Sequence, residues 1–222
     1  MGTLYLVRHG QASFGAADYD QLSPLGTQQC HALGAWFASH TLQFDAVLCG
    51  TLRRHVQTLA ALADGHGSLP AALPWPGLNE YDSEALISAI HPEPLAKPDT
   101  PEVYRAHFRL LREAMLAWMS GRTAPAGMPA YADWVAGITS ALDHVRQHCT
   151  GNVLIVSSGG PIATAVGHVL GTSPETTIEL NLRIRNSAIT EFNFNPKRLH
   201  LVSFNNLPHL DAPERRGWLT HA

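Results

Sequence analysis

Three short, almost wholly apolar runs stand out along the chain, and each stops at polar, turn-forming residues. Leu4-Tyr5-Leu6-Val7 ends at Arg8-His9-Gly10, Ala46-Val47-Leu48-Cys49 at Gly50-Thr51, and Val153-Leu154-Ile155-Val156 at Ser157-Ser158-Gly159-Gly160-Pro161. Short apolar runs without alternation, bounded by turn residues, predict buried strands. Helical spacing follows each run. Ser23-Pro24 places a capping serine before a first-turn proline and opens a helix that carries Leu25, Leu33, Trp36 and Phe37 to about Ser39. Further helices are predicted from about Leu52 to Ala63 and from Ile162 to Leu170. Strand–helix–strand–helix order implies a sheet with parallel strands.

Between these blocks, residues 64–101 read as irregular, with Pro70, Pro74, Pro76, Pro92, Pro94, Pro98 and Pro101. Long loops in compact domains are mostly functional, so this stretch predicts an excursion near a site, with one short helix around Ser83–Ile90. A helix from about Glu102 to Met119 places Val103, Phe108, Leu111, Met115 and Trp118 on one core face. After a break at Gly121–Pro129, helix resumes from Ala132 to His148. Ser187–Asn193 and Arg198–Phe204 alternate as two strands of a hairpin through Asn195-Pro196, and the tail after Asn206 reads as irregular. The expected architecture is one α/β domain over residues 1–222. It is a three-layer α/β/α sandwich with a mixed, mostly parallel sheet and a cap-like insertion at about 64–130.

Composition narrows the function classes. The chain has 222 residues, 45% of them hydrophobic, 15% charged, and a net charge of −3. A chain of this length can bury a sizeable core without staples, and the charge balance argues against a general nucleic-acid partner. No apolar run approaches the ~20 residues of a membrane span, and the N-terminus lacks the basic region of a secretory signal. Cys30, Cys49 and Cys149 are odd in number and form no CxxC pair. That pattern fits a reducing, cytoplasmic setting, with cysteines serving as small buried hydrophobes rather than reactive thiols.

In open α/β sheets ligands sit at the carboxyl ends of strands, where the three polar loops would converge. Arg8 offers a planar fork suited to phosphate. Arg53 and Arg54 start the helix after the second run, and Ser158-Gly159-Gly160 starts another, whose free N–H groups favour anions. The assembly reads as a phosphate site, against the alternative that Arg8 forms a salt bridge and His9 is a satisfied histidine. His55 either joins that site or packs its helix, and Arg53 either joins it or is solvated. His144 and His148 lie four apart on a helix beside Cys149. A metal site would need further ligands, Val145 stands where a metalloprotease has glutamate, and the pair reads as a solvated helix end. Ser158 is no nucleophile elbow, because Val156 precedes it by two.

The blocks also resemble a known family. Leu6-Val7-Arg8-His9-Gly10-Gln11 is similar to the signature of the histidine phosphatase superfamily, the phosphoglycerate-mutase-like proteins. Leu22 to Gln29 resembles the family's Leu-Thr-x-x-Gly-x-x-Gln, and Leu52 to Thr58 its Leu-x-Arg-x-x-Gln-Thr, which aligns the family's second arginine with Arg54. Leu78-Asn79-Glu80 resembles the segment with the acid–base glutamate, and Asn186-Ser187-Ala188-Ile189 the late Asn-x-Ser-Ile strand. The resemblance runs in family order from residue 3 to about 204. It implies a phosphoglycerate-mutase-like fold and a metal-independent, cofactor-free phosphomonoesterase acting on a small phosphate ester. His9 is then the nucleophile that carries a phosphohistidine, Glu80 the general acid and base, and Arg8 and Arg54 catalytic and phosphate-binding. Ser158, Gly159 and Gln11 complete the phosphate contacts.

Two departures stand out. Ser158 occupies the place of the family's second histidine, which implies a weaker catalyst, and Gly50 that of a family serine. A phosphoglycerate-mutase-like phosphotransferase is the alternative within enzymes. The mutase Trp and Asn of the first loop are Phe14 and Gly15 here, which favours the phosphatase. A weakly active or inactive phosphate-ester-binding pseudo-enzyme is the alternative outside catalysis. Trp75, Tyr81, His91 and Tyr104 are available either to contact the organic part of a substrate or to pack. Substrate identity and oligomeric state stay open.

Overall fold

In a computed structural model, residues 1–13, 20–93 and 100–221 are described. The chain runs β1 (Gly2–Arg8), α1 (Pro24–Ser39), β2 (Ala46–Cys49), α2 (Arg53–His66), β3 (Ala72–Pro74), α3 (Ser83–Ser88), α4 (Pro101–Met119), α5 (Tyr131–His148), β4 (Gly151–Ser157), α6 (Gly159–Leu170), α7 (Pro174–Arg183), β5 (Ile189–Asn195) and β6 (Arg198–Asn206). The six strands form one sheet in the order β3-β2-β4-β1-β5-β6. The first four are mutually parallel, while β5 runs antiparallel to β1 and β6 antiparallel to β5. This is the expected mixed, mostly parallel sheet flanked by helices.

The apolar runs are strands because both their faces are covered. Leu4, Leu6, Val153 and Ile155 pack with Ile138 and Leu142 of α5 and Ile162 and Val166 of α6. Val7, Leu154 and Val156 face the other way, onto Leu33 and Phe37 of α1 and Leu62 of α2. Truncating one of these buried leucines or isoleucines to Ala would cost about 2–5 kcal/mol. A third cluster joins α3 and α4 to Ile178 of α7 and Trp134 of α5.

Register brings the loops together. Arg8 pairs with Ser157 and Cys49 with Val156, so β1, β2 and β4 end level with one another. The chain leaving each strand stays tied to the sheet, through His9 N to Ser157 O at 2.9 Å and Gly50 N to Val156 O at 3.0 Å.

Four sequence expectations are corrected. The stretch 64–101 holds the end of α2, the edge strand β3 and a turn at Pro76–Leu78, besides α3. Residues Pro174–Arg183, assigned no element from sequence, form α7, capped by Ser173 from its Thr176 N–H. The first strand of the hairpin begins at Ile189, since Ser187 has a left-handed φ of 57° and cannot extend a strand. The tail after Asn206 packs, with Leu207, His209 and Leu210 buried. Among the described residues no helix is long and apolar enough to cross a membrane.

Candidate active site

His9 sits one residue past β1, 3% exposed, where its backbone is held on three sides. Its N–H bonds Ser157 O, and its carbonyl accepts from Ser187 N at 3.1 Å and Asn186 Nδ2 at 3.4 Å. The ring nitrogen Nδ1 lies 2.7 Å from Gly10 O. A carbonyl can only accept, so Nδ1 carries the hydrogen and Nε2 is left with its lone pair. Burial, and then the charges of Arg8 and Arg54, hold His9 well below the ordinary 6.5 of histidine. The imidazole is thus neutral, with a lone pair on Nε2.

Two buried guanidinium groups flank it. Arg8 ends β1 and donates through Nη1 to Ile184 O. Arg54 lies in the first turn of α2 and pairs through Nη1 with Asp20 Oδ1 at 2.8 Å. The same carboxylate accepts from Arg53 N at 2.9 Å and Arg54 N at 3.4 Å. Leu52 provides no side-chain cap for α2, so Asp20 satisfies that helix start. An anion is therefore stable at this place, and a carboxylate already exploits it.

Glu80 reaches the same end of the sheet because its segment is clasped from both sides. Ser157 Oγ donates to Leu78 O at 2.7 Å. Asn79 Oδ1 accepts from Thr51 N at 2.7 Å and Leu52 N at 3.3 Å, tying the segment to the loop after β2. Trp134 Nε1 donates to Asn79 O at 3.3 Å. The Glu80 carboxylate then accepts from Gly160 N at 3.1 Å. A Cβ on Gly160 would lie 2.1 Å from Glu80 Oε1, so the approach requires glycine. Burial raises the Glu80 carboxyl above its ordinary 4.5, and the Gly160 N–H, Arg54 and Arg8 only partly oppose this. A buried carboxyl whose pKa is raised despite two neighbouring cations is suited to proton transfer.

Ser158 is fully buried at the start of α6, with its Oγ 2.6 Å from His55 Nε2. A Cβ on Gly159 would lie 2.8 Å from Asn181 Oδ1 and 3.6 Å from Arg8 Nε, so a bare glycine leaves these side chains their room. Gln11, in the loop after β1, is tied to α1: its N–H bonds Gln29 Oε1 and its own Oε1 accepts from Ser23 Oγ. One sheet edge therefore gathers His9, Arg8, Arg54, Glu80, Ser158 and Gly159, while the Gln11 amide oxygen is committed to the cap of α1.

A family model for the histidine phosphatase superfamily (branch 1) matches residues 4–207. The chain belongs to the histidine phosphatase superfamily. Membership makes it a hydrolase of the phosphatase type. Solved structures of other histidine phosphatase folds agree at low identity. A mutant phosphoserine phosphatase from Entamoeba histolytica in complex with phosphoserine is 21% identical, with a TM-score of 0.65, covering 95% of this chain and 100% of that one. The alpha-ribazole phosphatase from Shigella flexneri is 19% identical at a TM-score of 0.60, covering 92% and 96%. The protein histidine phosphatase SixA complexed with tungstate is 15% identical at 0.59, covering 94% and 99%. At such identities these likenesses speak for the shared fold alone. No curated protein matches the chain by sequence.

The remaining candidates sort by packing. Arg53 is exposed at the start of α2, whereas His55 is completely buried beside the site. His144 stacks on Trp75 with centroids 5.2 Å apart, and His148 follows it on the surface of α5. Trp75 Nε1 donates to Gly137 O, and Tyr81 lies against Trp118 and Trp134, so both pack. His91 pairs with Glu93 at 3.6 Å. Among the described residues no three His, Cys, Asp or Glu side chains are grouped to hold a metal. Phe14 and Gly15, which bear on the mutase alternative, lie outside the described residues. Asp20 and Asn79 escaped the sequence reading as positioning groups. Asp20 belongs to no motif, Asn79 entered only as a member of the Leu78-Asn79-Glu80 block, and only the register of the loops puts them at the start of α2.

Proposed function

We propose that the protein is a phosphomonoesterase that hydrolyses a small phosphate ester through phosphohistidine at His9. The observation that carries this reading is the locked ring of His9, neutral and with Nε2 free to attack, flanked by Arg8 and Arg54, with the Glu80 carboxyl raised by burial beside the same two arginines. Nε2 attacks phosphorus, the P–N bond forms, and the ester P–O bond breaks. The leaving alkoxide takes the proton of Glu80. Water then attacks phosphorus and gives a proton back to Glu80, the P–N electrons return to Nε2, and inorganic phosphate departs. Charge on the phosphoryl oxygens passes through a loose transition state, which the guanidinium pair stabilises. The 64–130 stretch carries Glu80 and forms the leaving-group side of the site. Asp20 exchanges its place on Arg54 for a phosphoryl oxygen when the ester binds.

The test is turnover of a panel of phosphate esters by wild type and His9→Ala, with product analysis for transfer of labelled phosphate to a second hydroxyl. Release of inorganic phosphate that disappears in His9→Ala is expected. Retention of label on the organic product would establish a phosphotransferase. Full turnover by His9→Ala would remove His9 from the mechanism.

A further inference from the structure

One buried imidazole next to His9 has no part in the steps above. His55 follows Arg54 on α2, is 0% exposed, and has its ring centroid 5.8 Å from that of His9. Its Nε2 meets Ser158 Oγ at 2.6 Å. Its Nδ1 has no hydrogen-bond partner among the described residues. That nitrogen faces Gly50, where an added Cβ would lie 2.2 Å away. A position that needed only volume would be filled more stably by an apolar side chain, since a buried polar atom without a partner is costly.

The geometry also selects a tautomer. A hydrogen on Nδ1 would be a buried, unpaired N–H against the Gly50 backbone, whereas a lone pair there is better tolerated. The hydrogen therefore sits on Nε2 and is donated to Ser158 Oγ. Ser158 does not use its hydroxyl to cap α6. Having accepted from His55, that hydroxyl keeps its own proton for a further acceptor. Ser158 immediately precedes Gly159, where an added Cβ would lie 3.6 Å from Arg8 Nε, and its hydroxyl meets a ring whose centroid is 5.8 Å from that of His9, which sets it beside both residues.

We propose that His55 is a positioning residue that acts through Ser158, His55 Nε2–H holding the serine hydroxyl so that it donates to a phosphoryl oxygen, with Gly50 kept bare to admit the ring. The inference rests on the phosphatase reading above. No proton changes owner in this relay, since both hydrogens stay on His55 and Ser158 while the P–N bond forms and the ester P–O bond breaks. The pair supplies a neutral donor at the place where resemblance to the family leads one to expect a histidine. It also forbids a simple restoration of that residue, because an imidazole at position 158 would meet the His55 ring already there.

The test is a double-mutant cycle on the full chain with Ser158→Ala, His55→Leu and both together, reading kcat and KM on an aryl phosphate and inhibition by orthovanadate and by inorganic phosphate. Each single change is expected to lower kcat and vanadate affinity about tenfold, the loss of one hydrogen bond made in the transition state. KM and phosphate affinity should move far less, and the double variant should lose no more than either single one. His55→Gln, whose amide can still donate, should recover part of the loss. Ser158→His should be impaired alone and active when combined with His55→Ala. Ser158→Ala removes a single oxygen, so it still gives a reading should His55→Leu not fold. Unchanged kcat and vanadate affinity in Ser158→Ala, or losses that multiply in the double variant, would overturn the relay. If wild type turns over no ester, the phosphatase reading fails, while vanadate affinity still decides the relay. Wild type that binds no vanadate would refute both.

Discussion

Acid should unfold this protein sooner than its net charge suggests, because the site is built on histidines kept neutral by burial. His55 and His209 are both pushed down to about 3, chiefly by burial, with the charges of Arg54 and Arg215 adding to it. His9 is lowered as well. His209 belongs to the same assembly, since its Nε2 lies 2.9 Å from Oγ of Ser187, whose N–H binds the His9 carbonyl. In the unfolded chain each imidazole returns to about 6.5 and takes up a proton, so the unfolded state binds more protons and stability falls as pH falls. Between pH 7 and pH 5 the unfolded chain gains about 1.5 pK units of protonation free energy per histidine, or about 2 kcal/mol each. Any folded value below about 4 gives the same result, because the folded ring is neutral throughout that interval. Glu80 works the other way: its raised carboxyl takes up a proton in the folded state first and returns part of the loss. Urea unfolding at pH 7 and pH 5 measures the difference. The wild-type loss should exceed that of His55→Gln by about 2 kcal/mol. Equal losses in the two proteins would show that the folded chain protonates His55, and the argument from burial would fail.

Three further perturbations probe the chemistry. Glu80→Gln should lower turnover of alkyl phosphates by about 10²–10⁴-fold and spare an activated aryl phosphate much of that loss; equal loss on both would make Glu80 a binding group. With Glu80 as the general acid proposed above, wild-type kcat should fall as pH rises through its raised pKa, and the variant should lack that alkaline limb. Gly160→Ala places a methyl where the Glu80 carboxylate rests, so activity should drop at least tenfold with the fold retained by circular dichroism. Unchanged activity would show that Glu80 works from another position. Arg54→Lys keeps charge and loses the planar fork, so phosphate inhibition should weaken about tenfold or more.

How much of this was legible in the sequence depends on whether a residue's partner is local. The strands β1, β2 and β4 announce themselves because both faces of each are covered, and their ends fix where the site must be. Arg8, His9 and Arg54 follow from those ends. Helix α7 was missed although Ser173-Pro174 repeats the start signal of α1. Its Glu175, Thr176, Thr177 and Glu179 leave Ile178 as its one fully buried apolar side chain, so the apolar stripe is thin. Strand β3 is three residues long on the sheet edge, with Leu73 44% exposed, and has little hydrophobic signal to offer. The tail reads as irregular, yet Leu207 and Leu210 find the core. His55 is the most instructive case. Beside two arginines at a helix start it reads more readily as surface or helix packing than as site, and only its contact with Ser158, 103 residues away, decides.

The central claim is tested most directly by trapping the phosphorylated enzyme. Wild type mixed with excess ester should be quenched in base, because phosphohistidine is labile in acid, and the peptide carrying residue 9 examined by mass spectrometry. The account predicts phosphate on His9, formed no slower than product is released and absent in His9→Ala. Steady turnover with no phosphate on His9 at any time, or phosphate on another side chain, would contradict it.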